Sequence, residues 1–100
     1  MATLRELLDR LDELDDDVTI YAAKPWTCES AATAAVQHSP EMRAALASGM
    51  TYLLEVDLAR DVLETWHEWR PGRTATSDDK CAAVIHYAEF DAYLEPDHTD

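Results

Sequence analysis

Apolar residues recur at helical spacing near the start of the chain, at Leu4, Leu7, Leu8, Leu11 and Leu14. Residues three and four apart share one helical face, so the pattern predicts an amphipathic helix with its leucines turned to a core. Thr3 stands three residues before Glu6, the capping-box spacing that predicts the helix start. Glu6 and Arg10 are four apart, in the favourable order for an ion pair. The stripe is shorter than the roughly three heptads a coiled coil needs, so it reads as a core face. Asp15-Asp16-Asp17 ends it, because carboxylates oppose the negative end of a helix dipole.

Val18 to Ala23 is β-branched and aromatic and predicts a strand, closed by Lys24-Pro25. Ala31 to Val36 has alanines that suit a helix, but its place after a strand and a short loop predicts a returning strand. Between them lies Trp26, read either as a plug at the core edge or as an exposed aromatic anchor, with the plug preferred. Ser39 followed by Pro40 predicts a helix start, and Gly49 its end.

The stretch from Met50 to Trp69 predicts the centre of the fold: a strand over Met50–Val56 running almost directly into a helix capped by Asp57. Leu58, Val62, Trp66 and Trp69 share one side of that helix, and Asp61, Glu64 and Glu68 the other. Arg60 and Glu64 form an i,i+4 pair in the weaker order. Pro71-Gly72 ends it. Ser77 predicts the cap of a last helix with Asp78 and Asp79 in its first turn. Cys81, Val84, Ile85, Ala88 and Ala92 would face the core, and Pro96 would break the helix. The order predicts one α+β domain over residues 1–95: a small sheet of about three strands, mainly antiparallel, with helices packed on one face. Residues 96–100 read as a disordered acidic tail. If the sheet face left bare is apolar, a second copy would cover it, giving a homodimer.

Composition sharpens this picture in one respect. The 100 residues carry 21 acids against 8 Lys and Arg, a net charge of −13. Phosphate-rich surfaces repel such a chain, which argues against nucleic acid and anionic membranes as partners and for a protein with a basic surface. A salt-adapted or GC-rich bacterial composition accounts for the same charge. There is no apolar run of about 20 residues to cross a membrane and no leader-like start, so the expected setting is the cytoplasm. Cys28 and Cys81 lack the spacing of a zinc site or a disulfide framework and are read as reduced thiols.

Three segments, LRELLDRLDELDDDVTIYAAKPW, YLLEVDLARDVLETW and DDKCAAVIHYAEFDAY, resemble a group of small acidic bacterial proteins of uncharacterised function. The resemblance spans most of the chain. It implies a self-contained bacterial domain and brings no catalytic residue, ligand or named activity with it.

Candidate chemistry is sparse. With two glycines, no phosphate-cradling loop is present, and no nucleophile elbow surrounds any serine. Glu64 and His67, three apart on a helix, and His86 and Glu89, the same spacing reversed, are candidate metal ligands if two helices bring them together. Asp9, Asp12, Glu13, Asp16 and Asp17, together with the acidic stretch from Asp57 to Glu68, form acidic surface that would meet a basic partner, with Trp26 or Trp69 as aromatic anchor. The expectation is thus a non-catalytic acidic protein-binding domain, most concretely immunity- or antitoxin-like, with no cofactor. The alternative is a small-ligand or metal-binding domain using the Glu/His pairs.

Overall fold

A computed structural model describes residues 2–96. The domain is α+β, with a four-stranded antiparallel sheet and four helices. In chain order these are β1 (Ala2–Thr3), α1 (Leu4–Asp9), a 3-10 turn (Leu11–Glu13), β2 (Val18–Ala23) and β3 (Ala31–Val36). They continue with α2 (Pro40–Ala47), β4 (Met50–Glu55), α3 (Val56–Glu68) and α4 (Ser77–Phe90). The strands lie in the order β1-β3-β2-β4. The strand beyond the three expected is β1, a two-residue edge paired with Ala31 and Ala32. The acidic tail expected at 96–100 lies, apart from Pro96, outside the described residues. Among the described residues no helix is long and apolar enough to cross a membrane.

β2 and β3 form the expected hairpin, in register from Val18 opposite Val36 to Ala22 opposite Ala32. β4 pairs along the other side of β2, but the register slips: Ile20 faces Leu54 while Tyr21 faces Tyr52. Leu53 is the extra residue of this bulge. It lets two consecutive leucines, Leu53 and Leu54, enter the same core, which strict alternation forbids.

That core lies between one sheet face and α1, α3 and α4. Leu4, Leu7, Leu8 and Leu11 meet Ile20 and Ala22 from the sheet, Val56, Val62 and Trp66 from α3, and Cys81 and Val84 from α4. Burial of these aliphatic and aromatic side chains at about 25 cal/mol per Å² is the main force closing the domain. The helices are not all on one face. Tyr21, Ala35 and Met50 point to the opposite side and pack with Ala45 and Met42 of α2 as a second, smaller cluster.

Several local expectations are met. Thr3 and Glu6 form the capping box of α1. Ser39 caps α2 through the Met42 amide at 3.1 Å, with Pro40 in the first turn. Gly49 follows α2 with a positive φ of 92°.

Others are corrected. The leucine helix stops at Asp9, and Leu11 to Glu13 continue as a 3-10 turn. The carbonyls of Leu11 and Leu14 receive the Arg60 guanidinium, so the backbone there is satisfied without a further helical turn. Arg60 is therefore not held by Glu64, and Glu6 is engaged with Thr3 rather than Arg10. α3 begins at Val56 with Glu55 before it and no side-chain cap, so Asp57 sits in the first turn instead of capping it. Its inward residues are Val56, Ala59, Val62 and Trp66, while Leu58 is half-buried and Trp69 is 42% exposed. Thr76, not Ser77, caps α4, in a capping box with Asp79. α4 ends at Phe90, where Asp91 adopts a left-handed φ of 55°, so Ala92 is exposed and Pro96 plays no part in the break.

The largest correction concerns the cysteines. Cys28 and Cys81, 53 residues apart, form a disulfide with a Cα–Cα distance of 5.5 Å. The β2–β3 loop folds onto the start of α4, and only that tertiary approach brings the two thiols together. Neighbouring contacts hold the same junction: the Arg5 amide donates to the Cys28 carbonyl at 2.9 Å, and the Arg5 guanidinium bridges Glu29 at 3.0 Å and Asp78 at 2.9 Å. Those two carboxylates also raise the Arg5 pKa, chiefly through the hydrogen bonds that Arg5 donates to Glu29.

Candidate protein-binding surface

The acidic residues of the N-terminal segment and of α3 form one surface because Arg60 joins the two. Its guanidinium donates to the Leu11 carbonyl at 3.0 Å and also contacts the Leu14 carbonyl and the Asp16 carboxylate. This pins the 3-10 turn and the loop after it to the side of α3. On α3, Asp57, Asp61, Glu64 and Glu68 are all exposed. Their spacing of four, three and four aligns them along one stripe. Asp12, Glu13, Asp15, Asp16 and Asp17 are exposed beside the segment that Arg60 holds.

The expected acidic residues are not equivalent. Asp9 is engaged inside the molecule: both its oxygens accept from the Ser77 hydroxyl at 2.8 Å, and the Lys80 ammonium lies at 3.5 Å. Glu13 pairs with Arg10 at 3.5 Å, and Asp16 with Arg60. Asp12 and Asp17 make no ion pair with any described residue and carry the most available charge.

The two tryptophans considered as anchors are not equivalent either. Trp26 is half-buried against the main core, its indole N–H donated to the Ala22 carbonyl at 3.1 Å and its ring 4.8 Å beneath the Lys24 ammonium. It shares a small cleft with Lys24, Pro25 and Glu89 toward the far end of α4, whereas Asp9 meets the start of that helix. A helix rises about 1.5 Å per residue, so those two places are roughly 18 Å apart along α4. The aromatic residue bordering the acidic stripe is Trp69, the other candidate anchor, packed edge-on to Tyr93 with ring centres 5.8 Å apart. Tyr93 donates its hydroxyl to Asp61, and that bond raises the tyrosine pKa. Tyr93 and Arg60 are the residues of this surface that sequence reasoning missed. Both act through partners more than 30 residues away, which no local pattern reveals.

A cleft of about 390 Å³ runs between α1, the 3-10 turn, α3 and α4. Asp9, Asp12, Arg60, Glu64, His67 and Lys80 lie along it, over a floor that includes Leu8, Leu11 and Leu63. It places the N-terminal acids Asp9 and Asp12 beside the Glu64–His67 pair. One His67 ring nitrogen lies 2.9 Å from the Leu63 carbonyl, to which it can donate. The second pair is elsewhere: His86 packs on Phe90 with ring centres 4.8 Å apart, and Glu89 lines the Trp26 cleft. The two Glu/His pairs therefore do not converge, and among the described residues no group of three or more His, Cys, Asp or Glu is placed to hold a metal ion.

Comparison with known proteins finds no matching family model, no matching curated protein and no matching solved structure.

Proposed function

We propose that the chain is a non-catalytic protein-binding domain that recognises a partner with a basic surface. The binding face comprises Asp12, Glu13, Asp16 and Asp17 together with Asp57, Asp61, Glu64 and Glu68, bordered by Trp69 and Tyr93. The observation that carries this reading is the Arg60 junction, which joins two acidic segments into one face. Such a face draws a cationic partner from a distance and speeds encounter. Trp69, 42% exposed at its edge, supplies apolar contact area of the kind that dominates binding energy. An immunity- or antitoxin-like role is the most concrete form: the face would cover a basic groove such as that of a nuclease. The same charge disfavours nucleic acid itself. The Cys28–Cys81 bond makes an oxidising compartment, in place of the cytoplasm expected from sequence, the setting that suits the folded form.

Affinity capture from the native host tests the reading, using the wild-type chain and a variant carrying Lys at Asp12, Glu13, Asp17 and Glu64. The expected result is a basic protein retained by wild type at low salt, released as salt rises, and lost from the variant. A partner that stays bound to the variant, or whose affinity is indifferent to salt, contradicts it.

A further inference from the structure

The negative charge is unevenly distributed. Residues 30–54 contain one acid, Glu41, and one base, Arg43, so this quarter of the chain is neutral while the remainder carries the whole −13. These residues build β3, α2 and β4 as far as Leu54; the last residue of β4, Glu55, is an exposed acid at the border of this region. Ala32, Leu53 and Leu54 face the main core, while Ala31, Ala35 and Met50 face the side of the sheet opposite α1, α3 and α4, where α2, with eight residues, is packed.

The cover is incomplete. Leu46 on α2 is 48% exposed, and Tyr52 on β4 is 45% exposed although its ring lies edge-on to Tyr21 at 6.3 Å. A groove of about 490 Å³ runs beside α2, lined by small or apolar side chains such as Leu7, Ala32, Ala44, Ala45 and Met50, with Glu41 its one charged residue. β4 is also the outer strand of the sheet on this side.

We propose that this neutral face is where a second copy of the chain binds. Two chains of −13 repel one another through every strongly charged surface, and the repulsion grows as they approach. The face built by residues 30–54 is the approach that escapes this cost, and it presents unburied apolar side chains to be covered. A two-fold dimer brings the same patch together on both chains. Glu41 and Arg43, opposite in sign and both exposed on α2, can then each meet the other's counterpart across the axis. The acidic face stays outside the interface, so a dimer would display two of them.

The dimer and the proposed basic partner respond oppositely to salt, which separates the two readings. Salt screens the repulsion between copies and strengthens the dimer, while it weakens acid-to-base recognition. Sedimentation equilibrium across a wide concentration range is the test, on the wild type, Leu46→Glu, Tyr52→Glu and the control Phe90→Glu. Phe90 is 65% exposed but lies at the end of α4, away from the neutral face. The expected result is a reversible dimer for wild type and Phe90→Glu that tightens with added salt. Leu46→Glu and Tyr52→Glu should each weaken it by tenfold or more, with unchanged circular dichroism. A wild-type chain that stays monomeric at the highest concentration in high salt overturns the proposal. So does a dimer indifferent to both substitutions, or one broken by Phe90→Glu alone.

Discussion

The Arg60 guanidinium donates to the Leu11 carbonyl at 3.0 Å, across 49 positions of sequence. Arg60 is mostly buried, and its hydrogen bonds hold the 3-10 turn that follows the leucine helix and the acidic loop beyond it, and join both to α3. Hydrogen bonds to a charged group contribute about 1.5–3 kcal/mol each when partly buried. Arg60→Leu is expected to lower stability by about 2 kcal/mol and to speed amide exchange at residues 11–17 ahead of the rest of the chain. A urea midpoint equal to wild type, with unchanged exchange in that segment, would show that the junction contributes nothing.

The Cys28–Cys81 bond closes a loop of 53 residues. By chain entropy a loop of that length stabilises the fold by about 4 kcal/mol, although engineered cross-links often deliver less. Reduction with a dithiol is expected to lower the guanidinium midpoint clearly, and the Cys28→Ala, Cys81→Ala double variant should match the reduced wild type in that loss. If oxidised and reduced chains unfold together, the bond is either absent in solution or without effect.

Asp79 accepts from the Thr76 amide at 3.0 Å, and that backbone hydrogen bond is the first cause of its lowered pKa. Desolvation opposes the shift, and the Thr76 hydroxyl, Arg73 and Arg70 add to it. A carboxylate with a depressed folded pKa stabilises the fold above its unfolded value, about 3.9, and loses that contribution as pH falls through the folded value. Asp79→Ala should therefore be destabilised at neutral pH and converge on wild type in strong acid. Thr76→Ala, which removes the other half of the box, should cost about 1 kcal/mol. A constant Asp79→Ala deficit from neutral to acid pH would exclude this account.

Arg70 is 8% exposed, and its guanidinium is stacked 4.6 Å from the Trp66 ring centre. It donates to the Trp66 carbonyl at 3.2 Å and to the Leu94 carbonyl at 3.0 Å, and desolvation is the main cause of its lowered pKa. Arg70→Leu keeps the packing volume but orphans both carbonyls. The expected outcome is a loss of about 1–3 kcal/mol, with the segment from Asp91 to Pro96 released first and Trp66 emission altered. Hydrogen exchange resolved by segment would read it, and protection at 91–96 equal to wild type would count against Arg70 as the tether.

Local chemistry made much of the fold legible. The capping box of Thr3 and Glu6, the Ser39-Pro40 start of α2 and the extended segment at 18–23 depend on residues a few positions apart, while 31–36, whose alanines suit a helix, follows as a strand from its place after that segment. Trp66 falls in the core because a helical period places it there. The acidic character of the candidate surface was equally open to reading. Which acids remain available was not: Asp9 and Asp12 look alike in sequence, yet Ser77 and Lys80, 68 and 71 positions away, engage the first and leave the second.

Periodicity and capping act within a few residues, so the chain alone determined its α+β class, its principal helices and hairpin, and its net negative charge. The tertiary structure decided what long-range approach controls: the Cys28–Cys81 bond, α2 on the second sheet face, the bulge that buries Leu53 beside Leu54, and the arginine that makes one acidic face from two segments. Each joins groups whose meeting depends on how the whole chain packs, and no short spacing encodes that.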